Sequence, residues 1–321
     1  GDPKRIPHPV EAMGFGVTYL RKLFESIAKD NKLCLRISGV FITLILIIIS
    51  GLIAYSIERT IFFENIILKF CGVFLLTISL ASSIASRSLR NSVLGVINLV
   101  PDVKSSNDDL ECAREKLAEI VGRDVESLDR NEIFRASAET ASENAIDGIF
   151  APIFWIFIGI ILWDFSHHLP GPLTLVWIFK ASSTIDSMIG YKRGRLKWLG
   201  TAGARLDDIL TWIPCRLVLI TLPFITISWR EIPKTIKQAL KEGRQDSSPN
   251  SGISEAIFAY CAEVRMGGIN YYKGVKKIKP IIAKYYPIAN INSIKRILNL
   301  ILRLQFSWIL YFILIMKLVN Q

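Results

Sequence analysis

SGVFITLILIIISGLIAYSI, residues 38–57, contains no Asp, Glu, Lys or Arg, and the first charge after it is Glu58. About 20 apolar residues, each rising roughly 1.5 Å along a helix, match the hydrocarbon thickness of a bilayer. The stretch therefore reads as a membrane-spanning helix, and the chain repeats the pattern. Residues 66–85 carry only Lys69, 146–163 only Asp147 at the entry, and 209–229 only Arg216, while 297–319 carry Arg303 and Lys317 near their two ends. A shorter block at 173–185 reads as a further crossing or a half-span. The expected fold class is all-α: a polytopic transmembrane helical bundle with cytoplasmic helical segments and loops, forming one integral membrane domain over residues 1–321.

Composition agrees with that reading. Of 321 residues, 51% are hydrophobic and only 21% charged, and the apolar residues come in blocks where a soluble fold would disperse them. The net charge of +11 would suggest nucleic acid on a soluble protein. On a chain of spans it reflects Lys and Arg held at the cytoplasmic face, so no nucleic-acid partner is expected and membrane lipid is. The five cysteines, at 34, 71, 112, 215 and 261, form no CxxC and have no His at zinc spacing, so they read as packing residues in a reducing setting. No segment reads as a cleaved signal peptide.

Three polar regions separate the spans: 102–144, 186–208 and 230–295. In the first, Ser106 and Asn107 are candidate N-caps for a helix through LECAREKLAEI that stops at Gly122. Asp129 with Glu132 then forms a capping-box pattern for a helix that runs on into the bilayer. The second region is basic and glycine-rich. The third is also basic and holds a small-residue helix expected to end at Gly267-Gly268. The positive-inside rule places the N-terminal segment and the second and third regions in the cytoplasm, leaving DFSHHLPGP (164–172), which lacks Lys and Arg, outside. The run 209–229 strains this assignment. A single crossing there would put the second and third regions on opposite sides, and Pro214 and Pro223 suggest a broken or re-entrant segment.

Four constellations could carry chemistry. Arg135, Glu139, Glu143 and Asp147 are spaced by four and share a helix face as it enters the apolar block. Stacked carboxylates repel unless a cation sits among them. One reading is a Mg²⁺ site; the other is a solvated acidic face with Arg135 as ion-pair partner. Asn144 adds an amide at the same depth. Lys180, Thr184 and Asp186 follow on a later helix, where the plain reading is a snorkelling lysine and a capping aspartate. Arg205, Asp207, Asp208 and Arg216 form the third group, with Arg216 inside an apolar run, where a charge needs a partner or a polar cavity. Ser248-Pro249-Asn250-Ser251-Gly252 precedes a helix with Arg244 upstream; it reads as an anion-binding turn or as an ordinary cap. His8 is a weaker candidate for a polar contact.

Taken in order, GDPKRIPHPVEAMG (1–14), VGRD (121–124), RASAETASENAIDGIFAPIFW (135–155), KASSTIDSMIGYK (180–192), GARLDDILTWIPCRL (203–217), SPNSG (248–252) and GGINYYKG (267–274) resemble the adenosylcobinamide-phosphate synthase family of cobalamin biosynthesis (CbiB/CobD). The resemblance covers essentially the whole chain. Ser183-Thr184 stands where the family pattern has Asn-Thr, and Asp246 stands near a position where the family often has His.

The resemblance implies an ATP-dependent amide ligation that joins a carboxylate of adenosylcobyric acid to (R)-1-amino-2-propanol O-phosphate or a related aminoalcohol. It implies ATP and Mg²⁺ as cofactors and the corrinoid as substrate, in the cell membrane with the active face cytoplasmic. On that reading the catalytic carboxylates are Glu139, Glu143, Asp147, Asp186 and Asp208, with Glu143, Asp147 and Asp207 toward the metal. Arg135, Asn144, Lys180, Thr184, Lys192, Arg205, Arg216, Arg244, Ser248, Asn250 and His8 would bind substrate and phosphates. No P-loop is present, so ATP rests on the resemblance. Homo-oligomers or other membrane enzymes of the same pathway are expected partners. Two rival readings are a non-catalytic membrane regulator or sensor of the same fold and a corrinoid transporter.

Overall fold

The structure is a computed structural model that describes residues 9–101, 110–191 and 193–319. Thirteen helices and one hairpin are formed among the described residues: α1 Pro9–Ala28, α2 Lys32–Arg59, α3 Ile66–Ser82, α4 Ser86–Ile97, α5 Glu111–Ala118, α6 Arg130–Ala145, α7 Ala151–Phe165, α8 Pro172–Ile189, α9 Leu196–Leu199, α10 Thr201–Phe224, α11 Ile232–Gly243, α12 Ser251–Ala262, β1 Met266–Tyr272, β2 Val275–Ile282 and α13 Ile291–Val319. Among the described residues four helices are long and apolar enough to cross a membrane: Lys32–Phe62, Ile66–Ile97, Arg130–Phe165 and Ile291–Leu318. They contain the runs 38–57, 66–85 and 146–163, and 297–319 as far as Leu318. Their outward residues, such as Phe41, Leu44, Ile48, Phe70, Phe306 and Leu310, are exposed, as lipid-facing positions should be. The chain is a helical membrane protein.

Three details differ from the sequence-based expectation. The run 209–229 is not interrupted at its prolines: α10 is one helix to Phe224 with Pro214 and Pro223 inside it, and it is not among the four helices long and apolar enough to cross a membrane. Gly267-Gly268 do not end a helix. That helix, α12, stops at Ala262, where Glu263 takes a left-handed conformation (φ 55°), and the two glycines lie in β1. The bundle thus carries a small antiparallel sheet. Ser106 and Asn107 lie outside the described residues, and the helix expected beyond them is short, Glu111–Ala118.

The chain forms two compact units. One comprises the described residues up to Ile84 together with Ala151–Thr211. Here α8 packs against α7, α2 and α1. The core includes Met13, Val17, Leu35, Ile42, Leu46, Val176, Trp177 and Ile185. The buried Glu58 at the end of α2 accepts hydrogen bonds from the backbone N–H groups of Gly171 (3.0 Å), Leu173 (2.7 Å) and Thr174 (2.9 Å), and from the Thr174 hydroxyl (2.5 Å). A carboxylate here satisfies the orphan N–H groups and the dipole of the α8 N-terminus.

The other unit is Ala85–Phe150 with the described residues from Trp212 onward. Its centre is α6, which packs against α4, α5, α12, α13 and β1. Asp129 begins α6 with the expected capping box. The helix then widens into a π turn, Ile146–Phe150, and continues as α7. At this turn Ala85 N–H donates to the Gly148 carbonyl at 2.8 Å, and Phe150 packs edge-on to Trp308 of α13 at 5.2 Å.

Candidate functional site

The acidic face of α6 divides into two parts with different surroundings. Glu139 is fully buried and fully engaged. Arg123 Nη2 donates to its Oε2 at 2.5 Å, while Arg135 Nη1 (3.3 Å) and Gly267 N–H (2.8 Å) donate to its Oε1. Both arginines also reach the Asn270 amide oxygen, at 2.7 and 3.0 Å, and Arg135 bonds the carbonyls of Gly267 and Ile269. Burial opposes the charge on Arg123, but Glu139 outweighs it and raises the Arg123 pKa. Glu139 therefore acts as an anchor that fastens the hairpin to α6. Asp124 closes the other end: its carboxylate accepts from the N–H groups of Lys273 and Gly274 at 2.7 Å each, and its own N–H donates to the Tyr271 carbonyl at 2.8 Å. The VGRD and GGINYYKG motifs thus meet.

One turn further along α6, Glu143, Asn144 and Asp147 are only half-buried. Asp147 lies in the π turn, a feature frequent at functional sites. Near Glu143 sits Lys279 of β2, itself buried. Its ammonium donates to Glu255 Oε1 of α12 at 2.6 Å and pairs with Asp246 at 3.4 Å. Burial works against that ammonium, yet Glu255, Glu143, Asp246 and Glu139 together raise its pKa. Burial pushes the Glu255 carboxyl up to about 8, with Lys279 opposing and Glu139 and Glu143 reinforcing the shift. Asp246 is held below the usual carboxylate range: burial would raise it, but Lys279 and the Ser248 N–H outweigh burial.

The Ser-Pro-Asn turn joins this cluster. Ser248 N–H donates to Asp246 Oδ1 at 3.0 Å, and Ser248 Oγ accepts from the N–H groups of Asn250 and Ser251. Arg216 of α10 donates to the Asn250 side-chain oxygen and to the Pro249 carbonyl, the latter at 2.9 Å. That contact answers the partner question for a cation in an apolar run. Ser254 Oγ donates to the Ser142 carbonyl at 2.6 Å, fixing α12 in register with α6. Arg244 stands at the C-terminal cap of α11.

The remaining candidates lie in the first unit. Thr184 Oγ1 donates to the Lys180 carbonyl at 2.7 Å. Lys180 and Asp186 are half-buried on α8, and Asp207 is buried on α10. Arg205 and Asp208 form a loose pair at 3.9 Å. The two helices touch where Gly203 lies against the Ile185 side chain; a Cβ there would sit 2.3 Å from it. This unit carries polar residues on both helices: Lys180, Thr184 and Asp186 on α8, and Arg205, Asp207 and Asp208 on α10. His8 and Lys192 lie outside the described residues.

Among the described residues no three His, Cys, Asp or Glu side chains are gathered as a ligand set. Mg²⁺ commonly takes one or two carboxylates and completes its shell with phosphate oxygens and water. Half-buried Glu143 and Asp147, one turn apart, fit that mode, as does Glu255, whose Oε2 is buried without a hydrogen-bond partner. Glu139, already saturated by two guanidinium groups, does not.

The profile of the CobD/Cbib protein family matches residues 1–301. The chain belongs to the CobD/CbiB family. Three curated relatives carry the name cobalamin biosynthesis protein CobD. That of Synechocystis is 38% identical over 88% of this chain and 78% of its own length. That of Halalkalibacterium halodurans is 33% identical over 86% and 79%. That of Leptospira interrogans is 30% identical over 98% and 93%. No solved structure matches. Membership in the CobD/CbiB family assigns the chain to cobalamin biosynthesis. Arg123, Asp246, Glu255, Asn270 and Lys279 had no assigned role from sequence alone. Only Arg123, inside VGRD, and Asn270, inside GGINYYKG, lay in a motif that pointed to them.

Proposed function

We propose that the chain is a multi-pass enzyme of the cell membrane that forms an amide between a corrinoid carboxylate, that of adenosylcobyric acid, and (R)-1-amino-2-propanol O-phosphate or a related aminoalcohol, consuming ATP at its cytoplasmic face. The observation that carries this reading is half-buried Glu143, with Asp147 one turn on, near the Lys279–Glu255–Asp246 cluster to which the Ser248 turn is bonded. A carboxylate at neutral pH is a poor electrophile. Transfer of the γ-phosphoryl of ATP to its oxygen releases ADP and gives a mixed anhydride. The amine then attacks the carbonyl carbon, phosphate leaves, and the amine proton must go to a base.

Glu143 and Asp147 would hold Mg²⁺ through carboxylate oxygens. When bound, the ion would neutralise phosphate charge. Lys279 holds a fixed positive charge near Glu143, and a carboxylate that is not holding the metal would accept the amine proton. In the first unit, Lys180 and Arg205 are cations suited to a phosphate or corrinoid carboxylate, with Asp186, Asp207 and Asp208 alongside. Homo-oligomers or other membrane enzymes of the pathway are proposed partners.

The test is to incubate the purified protein with adenosylcobyric acid, the aminoalcohol phosphate and Mg·ATP, and to read the corrinoid by mass. Gain of the aminoalcohol phosphate less one water, with ADP in equal amount, is expected. An unchanged corrinoid that is nevertheless taken up into sealed vesicles would replace the ligase by a transporter.

A further inference from the structure

Three cations gather round one indole at the start of the α2 span. The Arg36 guanidinium lies 4.4 Å from the centre of the Trp198 ring, and the ammonium groups of Lys197 and Lys32 lie at 5.2 and 5.7 Å. All three residues are exposed. Among the described residues none of the three pairs with a carboxylate, and Asp30, the acid beside them in sequence, is held by Arg195 at 2.7 Å. Like charges held this close repel, and the π face of the indole offsets only part of that repulsion. An anion among them would relieve the rest.

The span itself fixes the depth of this group. The helix Lys32–Phe62 is long and apolar enough to cross a membrane, and its uncharged run, 38–57, is as long as the hydrocarbon is thick. Arg36 and Lys32 precede that run by two and six residues, about 3 and 9 Å along the helix. The headgroup layer on each side is about 5–8 Å deep, so the cations stand at the level of the lipid phosphates. Trp198 and Lys197 are held at the same level by α9, which packs against α2 and puts Leu196 and Leu199 into the core of the unit. One position round α2 from the cations, Leu33, Ile37 and Phe41 are exposed and form the face that meets acyl chains. Tryptophan and basic residues are the side chains that anchor a span at this boundary.

We propose that Lys32, Arg36 and Lys197, gathered by Trp198, form a binding site for the headgroup phosphate of one anionic phospholipid. Lys29 and Arg193, both exposed, add positive charge around it. A zwitterionic lipid is disfavoured because its choline brings a positive charge to a site that already holds three. A soluble phosphate is disfavoured because it uses the charges alone, whereas the lipid also lays its chains along Leu33, Ile37 and Phe41. The site is separate from the carboxylates of the amide-forming reaction and does not depend on that reaction.

The test is native mass spectrometry of the full chain, purified in detergent and equilibrated with phosphatidylglycerol and phosphatidylcholine of equal chain length. One phosphatidylglycerol should be retained about tenfold or more tighter than phosphatidylcholine. Arg36→Gln with Lys197→Gln should erode that preference by about fivefold for each cation removed. Arg36→Lys, which keeps the charge, should preserve it. Lys234→Gln with Lys237→Gln, the same loss of charge from exposed lysines of α11, should leave it unchanged. Equal retention of the two lipids would overturn the proposal, as would an equal loss in the two double variants. Displacement of the bound lipid by micromolar ATP or inorganic phosphate would make this a site for soluble anions and overturn it as well.

Discussion

Glu139 and Glu143 stand four residues apart on one helix, yet they predict opposite phenotypes. Glu139 neutralises two buried arginines. Removing one member of such a network leaves an uncompensated buried charge, at a cost of about 3–5 kcal/mol. Glu139→Gln should therefore lower the thermal midpoint in detergent sharply and reduce the yield of folded protein. Glu143 is half-buried, and Glu143→Gln should leave the midpoint within about 1 kcal/mol equivalent of the parent while abolishing amide formation. Melting curves paired with turnover separate the two roles. Glu255 adds a pH signature. Its pKa rises from 4.5 to about 8 on folding, so the native state binds the extra proton between those values and stability falls as pH rises through that window. Glu255→Gln should flatten this fall, and denaturation at pH 5 and pH 8 reads it. A steeper fall in the variant would mean that Glu255 is charged throughout. The four-residue spacing made the stripe legible in the sequence, but not its division. Periodicity places Glu139, Glu143 and Asp147 on one face, whereas only tertiary structure brings Arg123 and the hairpin over the first of them. Lys279 was illegible for the same reason. It sits in a strand of lysines and isoleucines whose pattern alone does not say which lysine turns inward.

At the level of the element, the hairpin depends on backbone that only glycine tolerates. Gly267 has φ +83°, and a Cβ there would lie 1.9 Å from the Pro280 carbonyl oxygen. Gly274, in the turn, has φ +77° with nothing within 4 Å. Gly274→Ala should cost only the left-handed penalty of about 1–2 kcal/mol. Gly267→Ala adds a backbone clash and should cost clearly more, with loss of the β1–β2 register and faster proteolysis between Tyr272 and Val275. Equal costs in unfolding titrations would show that the β-bulge at Gly267 relaxes freely. The spans were legible because a bilayer demands about 20 apolar residues in a row, and the α6 start was legible because its capping box is local. The hairpin was not. A pair of short strands whose apolar side faces outward presents the reverse of the usual pattern, and Gly267-Gly268 look like a helix stop when α12 precedes them. α10 misled in the other direction, since Pro214 and Pro223 signal a break by local rules and are nonetheless carried inside one helix.

For the whole molecule, the open matter from sequence was how two basic regions can share one side of the membrane. α8 bears on one half of it through its two ends. Its N-terminus is held by Glu58 at the end of α2, and α8 packs along both α2 and α7. Its 18 residues span about 27 Å at 1.5 Å per residue, nearly the hydrocarbon thickness. It falls short on apolar composition because Lys180, Thr184 and Asp186 occupy its second half, where most of its surface is shielded within the unit. If α8 returns to the side from which α2 started, residues 186–208 are cytoplasmic. Residues 264–296, with eight Lys and Arg and no Asp or Glu, then satisfy the positive-inside rule only if α10 does not make a full crossing. Arg216, held in place by the Ser-Pro-Asn turn, agrees with a helix whose later half stays beside polar backbone. The expected outcome in sealed vesicles of single-cysteine variants is that Ser166→Cys reacts with an impermeant maleimide only from the outer face. Ser247→Cys and Lys284→Cys should react only from the cytoplasmic face. Labelling of Lys284→Cys from outside would make α10 a full span and reverse α13. The Lys279–Glu255 cluster would then open to the side of the membrane that has no ATP, and the ligase reading would fail with the topology.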